Sequence, residues 1–218
     1  MSQQIHYHDV SRETWERHQA LIEQTRSLLE QYLEQLSWWN RKVNLVSRNA
    51  ETGLIWHHIS HSLLPLPLDL LPTDEVIFDA GTGGGLPGIP LALAAPDRHF
   101  ILNDINFKKI TAVHQMAEKL QLKNVHTRRG AFNEHLPDQR FTFISKHSFK
   151  LDQVLGILQG DLPCSRIILY KGGDFIEEIS DPLSSLSIDA HRLDTHQDDP
   201  FYDDKFILNI RRSESTEA

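Results

Sequence analysis

The chain has 218 residues, 39% of them apolar and 24% charged, with a formal net charge of −8 and a single cysteine, Cys164. That length suits one domain with added helices and gives ample core, and one cysteine excludes an internal disulfide or a cysteine-rich zinc site. No apolar run approaches the ~20 residues needed to span a bilayer, and "MSQQIHYHDV" lacks the basic and apolar regions of a secretion signal, so a cytoplasmic protein without a membrane partner is expected.

Residues 11–39 place Trp15, Leu21, Ile22, Leu28, Leu29, Tyr32, Leu33, Leu36 and Trp39 at steps of three and four, which predicts an amphipathic helix. A second helical stretch, 51–64, runs into "PLPLDLLP", a proline-punctuated linker. Strands and helices then alternate. Strands are predicted at 75–80, 99–104, 124–129, 140–145, 165–171 and 204–212, and helices at 88–95, 107–122 and 151–158. That alternation implies a parallel sheet with right-handed crossovers. The expected organisation is a helical cap over 1–70, a doubly wound, Rossmann-like α/β domain over 71–212, and a frayed tail over 213–218.

Charge is unevenly placed. Residues 174–204 hold ten acids and one base, −9 in all, so the rest of the chain is near +1. Arg41–Lys42, Lys108–Lys109, Arg128–Arg129, Lys146 with Lys150, and Arg211–Arg212 lie outside that stretch. Phosphate contacts need local positive charge rather than a basic total, although each pair alone also fits a solvated surface.

The stretch "FDAGTGGGLPGIP", 78–90, sits where the first strand of the α/β domain turns into its helix. In open α/β sheets the ligand lies at such a turn. Gly83-x-Gly85-x-x-Gly88 fits a dinucleotide fingerprint, but that match leaves Asp79 and Gly81 unused and aims a carboxylate at a pyrophosphate. Asp79-x-Gly81-x-Gly83-x-Gly85 fits the acid-plus-glycine loop of S-adenosylmethionine methyltransferases. The ligand there carries an ammonium and a sulfonium, which suit Asp79, and glycines let backbone approach it closely. Asp104 ends the next strand, 23 residues after Gly81, where it can accept from both ribose hydroxyls.

With its continuation, "FDAGTGGGLPGIPL" resembles the first motif of the bacterial small-subunit rRNA guanine-N7 methyltransferases, the RsmG (GidB) family. "WNRKVNLVS" (39–47), "HHISHS" (57–62) and "KGG" (171–173) match further segments of that family in order and spacing. The resemblance runs from about residue 30 to 210 and marks the chain as a divergent member. It implies a class I methyltransferase fold with S-adenosyl-L-methionine as cofactor and methyl transfer to N7 of a guanine in 16S rRNA on the small ribosomal subunit. It implies cofactor contacts at Leu86, and at Phe132 and Asn133 beside the adenine. On the RNA side it implies Asn40, Arg41, Asn44, His58 and Lys171. Three positions depart from the family pattern: Ala131 and Lys146 stand where it has arginine, and His61 where it has aspartate. Lysine cannot copy arginine's planar fork.

Guanine N7 is an exposed lone pair, so its methylation needs no base to remove a proton. No N-P-P-Y follows the strand at 140–145, as amino-group methylation would suggest, and Cys164 reads as a small buried filler. "SKHS", 145–148, ends that strand, where the base should enter. Lys146 there can contact phosphate or the cofactor carboxylate, His147 can stack on the base, and Ser148 can donate to it. These three are the candidate catalytic residues. His57 and His61, four apart, lack a third ligand, so no metal is expected. Trp38 and Trp39 adjoin Arg41 and Lys42 and offer stacking beside positive charge; one of the two is expected in the core, and Trp39 is assigned to the substrate side. A monomer with no DNA partner is expected. Two other readings stay open: a non-catalytic cofactor- or ribosome-binding relative, and a methyltransferase for a small molecule or protein.

Overall fold

The computed structural model describes residues 4–46, 51–179 and 185–213. Strand β1 (Gln4–Asp9) leads into helices α1 (Arg12–Asn40) and α2 (Thr52–Ser62). Then come β2 (Val76–Ala80), α3 (Gly88–Ala94), β3 (His99–Asp104), α4 (Phe107–Lys119) and β4 (Val125–Arg129). The second half holds β5 (Phe141–Lys146), α5 (Leu151–Gln159), β6 (Cys164–Gly172), β7 (Leu186–Arg192) and β8 (Lys205–Arg212). Among the described residues these strands make one sheet, in the order β1-β7-β8-β6-β5-β2-β3-β4. Only β8 runs against its neighbours.

Every residue of β2 is buried, as expected of a parallel strand covered on both faces. Alternation sends Ile77, Leu102 and Ile168 into one apolar layer with Leu29, Tyr32 and Leu36 of α1. Phe78, Phe143 and Ile167 enter the other, with Val154, Leu158 and Phe175. Helix α1 begins where the Ser11 hydroxyl accepts from Thr14 N at 3.1 Å, an N-cap. It buries Trp15, His18, Thr25, Leu29, Tyr32 and Leu36. Leu28, expected on that stripe, is 41% exposed.

Two strands escape the periodicity reading. β1 pairs in parallel with β7, from Gln4 opposite Ser187 to Asp9 opposite Arg192. The first residues therefore extend the sheet rather than join a helical cap. β7 lies inside the acid-rich stretch, where only Leu186, Ile188 and Ala190 face inward. Of the predicted tail, Ser213 is described, with its N–H donating to Ser185 O at 2.8 Å; 214–218 lie outside the described residues. Among the described residues no helix is long and apolar enough to cross a membrane.

β2 pairs with β3 on one side and β5 on the other. The chain winds outward in both directions from that pair, so the crevice beyond the tips of β2 and β5 is the topological switch point. The Ser145 hydroxyl donates to Ala80 O at 2.8 Å across it.

Candidate functional site

The glycine loop leaves β2 at this crevice. Gly81, Gly83 and Gly85 have φ of +68°, +58° and +97°, in the left-handed region that glycine enters without steric cost. Gly85 N and Leu86 N donate to Thr82 O at 2.8 and 2.9 Å, and Thr82 N donates to Asn103 O at 2.9 Å. From above, the Tyr32 hydroxyl of α1 donates to Gly84 O at 2.9 Å.

Asp79 braces this loop from within. It is fully buried. Its Oδ2 accepts from the Thr82 hydroxyl at 2.6 Å and from Gly88 N at 3.0 Å, and its Oδ1 has no partner among the described residues. Burial outweighs those bonds and pushes its pKa up to about 7. The expected contact with a cofactor ammonium is therefore corrected. Strand alternation puts Asp79 on the same face as Ile77, beneath the helices, and it lines neither cavity beside the loop. Gly85 lines neither as well; a Cβ there would meet Ile89 Cδ1 at 2.5 Å.

Two cavities flank Gly81. One, of about 500 Å³, is lined by Gly81, Asp104, Ala131, Phe132, Asn133 and Phe149, among others. Asp104 accepts from Gly83 N at 3.0 Å and from Asn106 N at 2.8 Å, so its carboxylate is fixed at the tip of β3. The other, of about 270 Å³, is lined by Gly83 and Leu86 on the loop, Leu45 and Leu54 on the α1–α2 side, and His58, Lys146, His147 and Ser148. Gly81, Lys109 and Ser148 border both. The structure thus brings together Gly81, Gly83, Leu86, Asp104, Phe132, Asn133, Lys146, His147 and Ser148.

At the tip of β5, Lys146 is 9% exposed. Its Nζ donates to His58 O at 2.9 Å and lies 3.3 Å from His58 Nδ1. Burial first, and the Lys205 charge second, lower its pKa to about 7, against a smaller opposing pull from Asp79. Burial and the Lys146 charge lower His58 to about 4. His147 has a φ of +56°, uncommon for a residue with a Cβ. Partial burial, then Lys146, Lys205 and Lys171, bring its pKa to about 4. The Ser148 hydroxyl donates to Gly81 O at 2.8 Å, and a Cβ on Gly81 would lie 2.7 Å from Ser148 Cβ.

Other residues expected on the RNA side divide. Arg41 and Asn44 are exposed and border a hollow of about 530 Å³. Asn40 borders it too, but its Oδ1 turns back to accept from Leu45 N and Val46 N at 2.9 and 3.0 Å, shaping the turn after α1. Trp39 packs partly buried against the core. The exposed tryptophan is Trp38, at 42%, with Lys42 Nζ 3.2 Å from its ring centre. Lys171 is 6% exposed, donating to Phe149 O at 2.8 Å and paired with Glu178. It braces the loop after β5 from inside the fold, which removes it from the RNA side.

His57 and His61 do not converge on a common ligand. His57 Nε2 pairs with Asp199 at 2.9 Å. His61 is fully buried, ringed by Tyr170, Phe201 and Tyr202 at 4.9–5.8 Å, and burial holds its pKa well below the usual histidine value. Cys164 is buried, its thiol directed to Arg166 O at 3.2 Å. Among the described residues no cluster of three His, Cys, Asp or Glu side chains is placed to hold a metal ion.

Sequence reasoning missed Thr82, Lys109 and Leu45 at the cavities. Thr82 lies within the glycine motif and was open to that reading. Leu45 lies in the "WNRKVNLVS" segment and Lys109 in a basic pair, but neither pattern places them at the cavities, where the turn after α1 and the first turn of α4 bring them.

A family model described as GidB, rRNA small subunit methyltransferase G, matches residues 25–194. The ribosomal RNA small subunit methyltransferase G of Chlorobium chlorochromatii (strain CaD3) is 37% identical over 167 residues, 76% of this chain and 71% of that relative. Its counterpart in Chlorobaculum tepidum is 35% identical over 200 residues, 85% of this chain and 88% of that relative. Among solved structures, a human methyltransferase 10 domain containing protein superposes with a TM-score of 0.51 at 10% identity, covering 75% of this chain and 84% of that one. A ribosomal protein L11 methylase from Lactobacillus delbrueckii subsp. bulgaricus reaches a TM-score of 0.50 at 16% identity, covering 72% and 79%. At those identities the two structures speak to the fold, which is the Rossmann-like fold of class I methyltransferases.

Proposed function

The chain belongs to the GidB family, rRNA small subunit methyltransferase G, and from that premise we propose that this methyltransferase moves a methyl group from S-adenosylmethionine to N7 of a guanine in 16S rRNA. The observation that carries the reading is the pair of cavities meeting at Gly81, one beside a fixed carboxylate and aromatic ring, the other beside the tip of β5.

The residues fit that cofactor. Backbone at Gly81 is bare, and the lone pairs left on Asp104 can accept from two ribose hydroxyls. Phe132 and Asn133 border the same cavity and suit the adenine. When bound, the cofactor supplies a methyl group on a positively charged sulfur.

The chain's own work is then positioning, a contribution of up to ~7–11 kcal/mol in favourable cases. No base is needed, because N7 carries a free lone pair. Methylated guanine is a cation, and His58 and His147, both with pKa near 4, stay neutral beside it at pH 7. A charged Lys146 Nζ has no lone pair, so the His58 Nδ1 that faces it accepts and the His58 proton is directed to Nε2. His58 lines the cavity beside the tip of β5, and an N–H turned from it to the base would suit guanine, whose O6 beside N7 accepts, and reject adenine, whose N6 donates.

The test is transfer of labelled methyl to small ribosomal subunits from cells lacking the modification, followed by mapping of the labelled base. Label on a guanine N7 of 16S rRNA is the expected result. No transfer, with cofactor bound, would sink the proposal.

A further inference from the structure

Among the described residues the cations sort by partner. Arg17, Arg140, Arg192 and Arg211 each meet a carboxylate at 2.5–2.9 Å, and Arg212 donates to backbone carbonyls at 2.8–3.1 Å. Arg41, Lys42, Lys108 and Lys119 are exposed, and among the described residues none of them has an acidic partner. The fold brings Arg41, Lys42 and Lys119 to one place, and α4 extends the row to Lys108. The end of α1 lies beside α4, so that Trp38 and Arg41 share a hollow of about 430 Å³ with Gln115 and Lys119. Glu34 is the one acid lining it. Lys108 and Lys119 stand three turns apart on α4, on one face, and the helix buries Ile110, Val113 and Met116 on the other. Lys109 carries this positive strip to the rim of both cavities at Gly81.

The chain's acids are concentrated elsewhere, with −9 held in residues 174–204. An exposed group of cations without acidic partners is a steering surface for a polyanion. Trp38 adds a second feature. Lys42 covers its exposed ring, so transfer of that ammonium to a phosphate would bare an aromatic face for a base.

We propose that the end of α1 and the outer face of α4 form the docking surface for the RNA flanking the target nucleotide, with Arg41, Lys42, Lys108 and Lys119 on its phosphates and Lys109 at the entrance to the site. This rests on the RNA reading above and names the face that reading requires.

The test compares wild type with the triple variant Arg41→Ala, Lys42→Ala, Lys119→Ala, and with a control, Arg17→Ala with Arg192→Ala, which removes paired cations elsewhere. Binding to small subunits and to protein-free 16S rRNA is measured across a salt series, beside calorimetric affinity for S-adenosylhomocysteine. The triple variant is expected to lose at least about tenfold in affinity for both RNA ligands and to flatten the slope of log K against log salt by about 2, with cofactor affinity unchanged and the control like wild type. Equal loss in the control overturns the proposal, as does unchanged binding by the triple variant. Loss on subunits with intact binding to free RNA also overturns it and assigns the face to a protein partner. Wild type that binds RNA but transfers no methyl would sink the reaction proposed above and leave this face standing.

Discussion

Charged, the Lys146 ammonium has three N–H groups, and His58 O and His58 Nδ1 lie within reach of two of them. A third exists only when the amine is charged. With a pKa of about 7, that third donor is present below neutrality and lost as pH rises through about 7. If it holds the cofactor carboxylate or an RNA phosphate, affinity for that anion falls across pH 6 to 8.5. Lys146→Arg, always charged, should flatten the profile, and Lys146→Ala should cost about 1.5–3 kcal/mol. Calorimetry with S-adenosylhomocysteine and separate binding to subunits identify the anion. Flat wild-type profiles for both would leave Lys146 as a brace between α2 and β5.

The glycine loop is held by neighbours on three sides, so its substitutions should differ. A side chain at Gly81 or Gly83 must adopt left-handed backbone, at about 1–2 kcal/mol. At Gly83 the nearest atom to an added Cβ is 3.7 Å away, whereas at Gly81 it is Ser148 Cβ at 2.7 Å. Gly83→Ala should therefore show the backbone cost alone in a urea melt, and Gly81→Ala more. Equal midpoints would mean that the loop after β5 yields. Gly81→Val cannot leave the fold untouched, since φ there is positive; it should lose stability and cofactor together.

Across the whole molecule, the N-terminal strand closes the sheet at the edge farthest from β4. The ion pair of Asp9 with Arg192, 2.6 Å, and the bond from the Trp15 indole to Thr195 O, 2.7 Å, tie the N-terminal segment to β7 and the turn after it. Deleting residues 1–9 should lower the thermal midpoint by exposing β7, while cofactor affinity stays within about twofold because the switch point lies several strands away. Loss of cofactor binding in a folded variant would show that the far edge shapes the crevice.

What the sequence by itself determined was set over short range. The strands and helices from β2 to β6 follow from apolar period, and the glycine loop declares itself because left-handed turns demand that residue type within a few positions. Asp104 and the 146–148 tip could be placed because each ends a strand in a parallel sheet, whose carboxyl ends converge, whereas Phe132 was placed by the family resemblance. Tertiary structure decided which way side chains face and what they meet. Asp79 turned inward because strand alternation, not its charge, sets its direction. Trp38 is the more exposed of the two tryptophans, with Trp39 partly buried against the core, because packing fixes the helix phase at the end of α1. Lys146 met His58 across 88 residues, and β1 met β7 across more than 180. Such contacts depend on chain segments far apart in sequence, and no local pattern in a single chain encodes them.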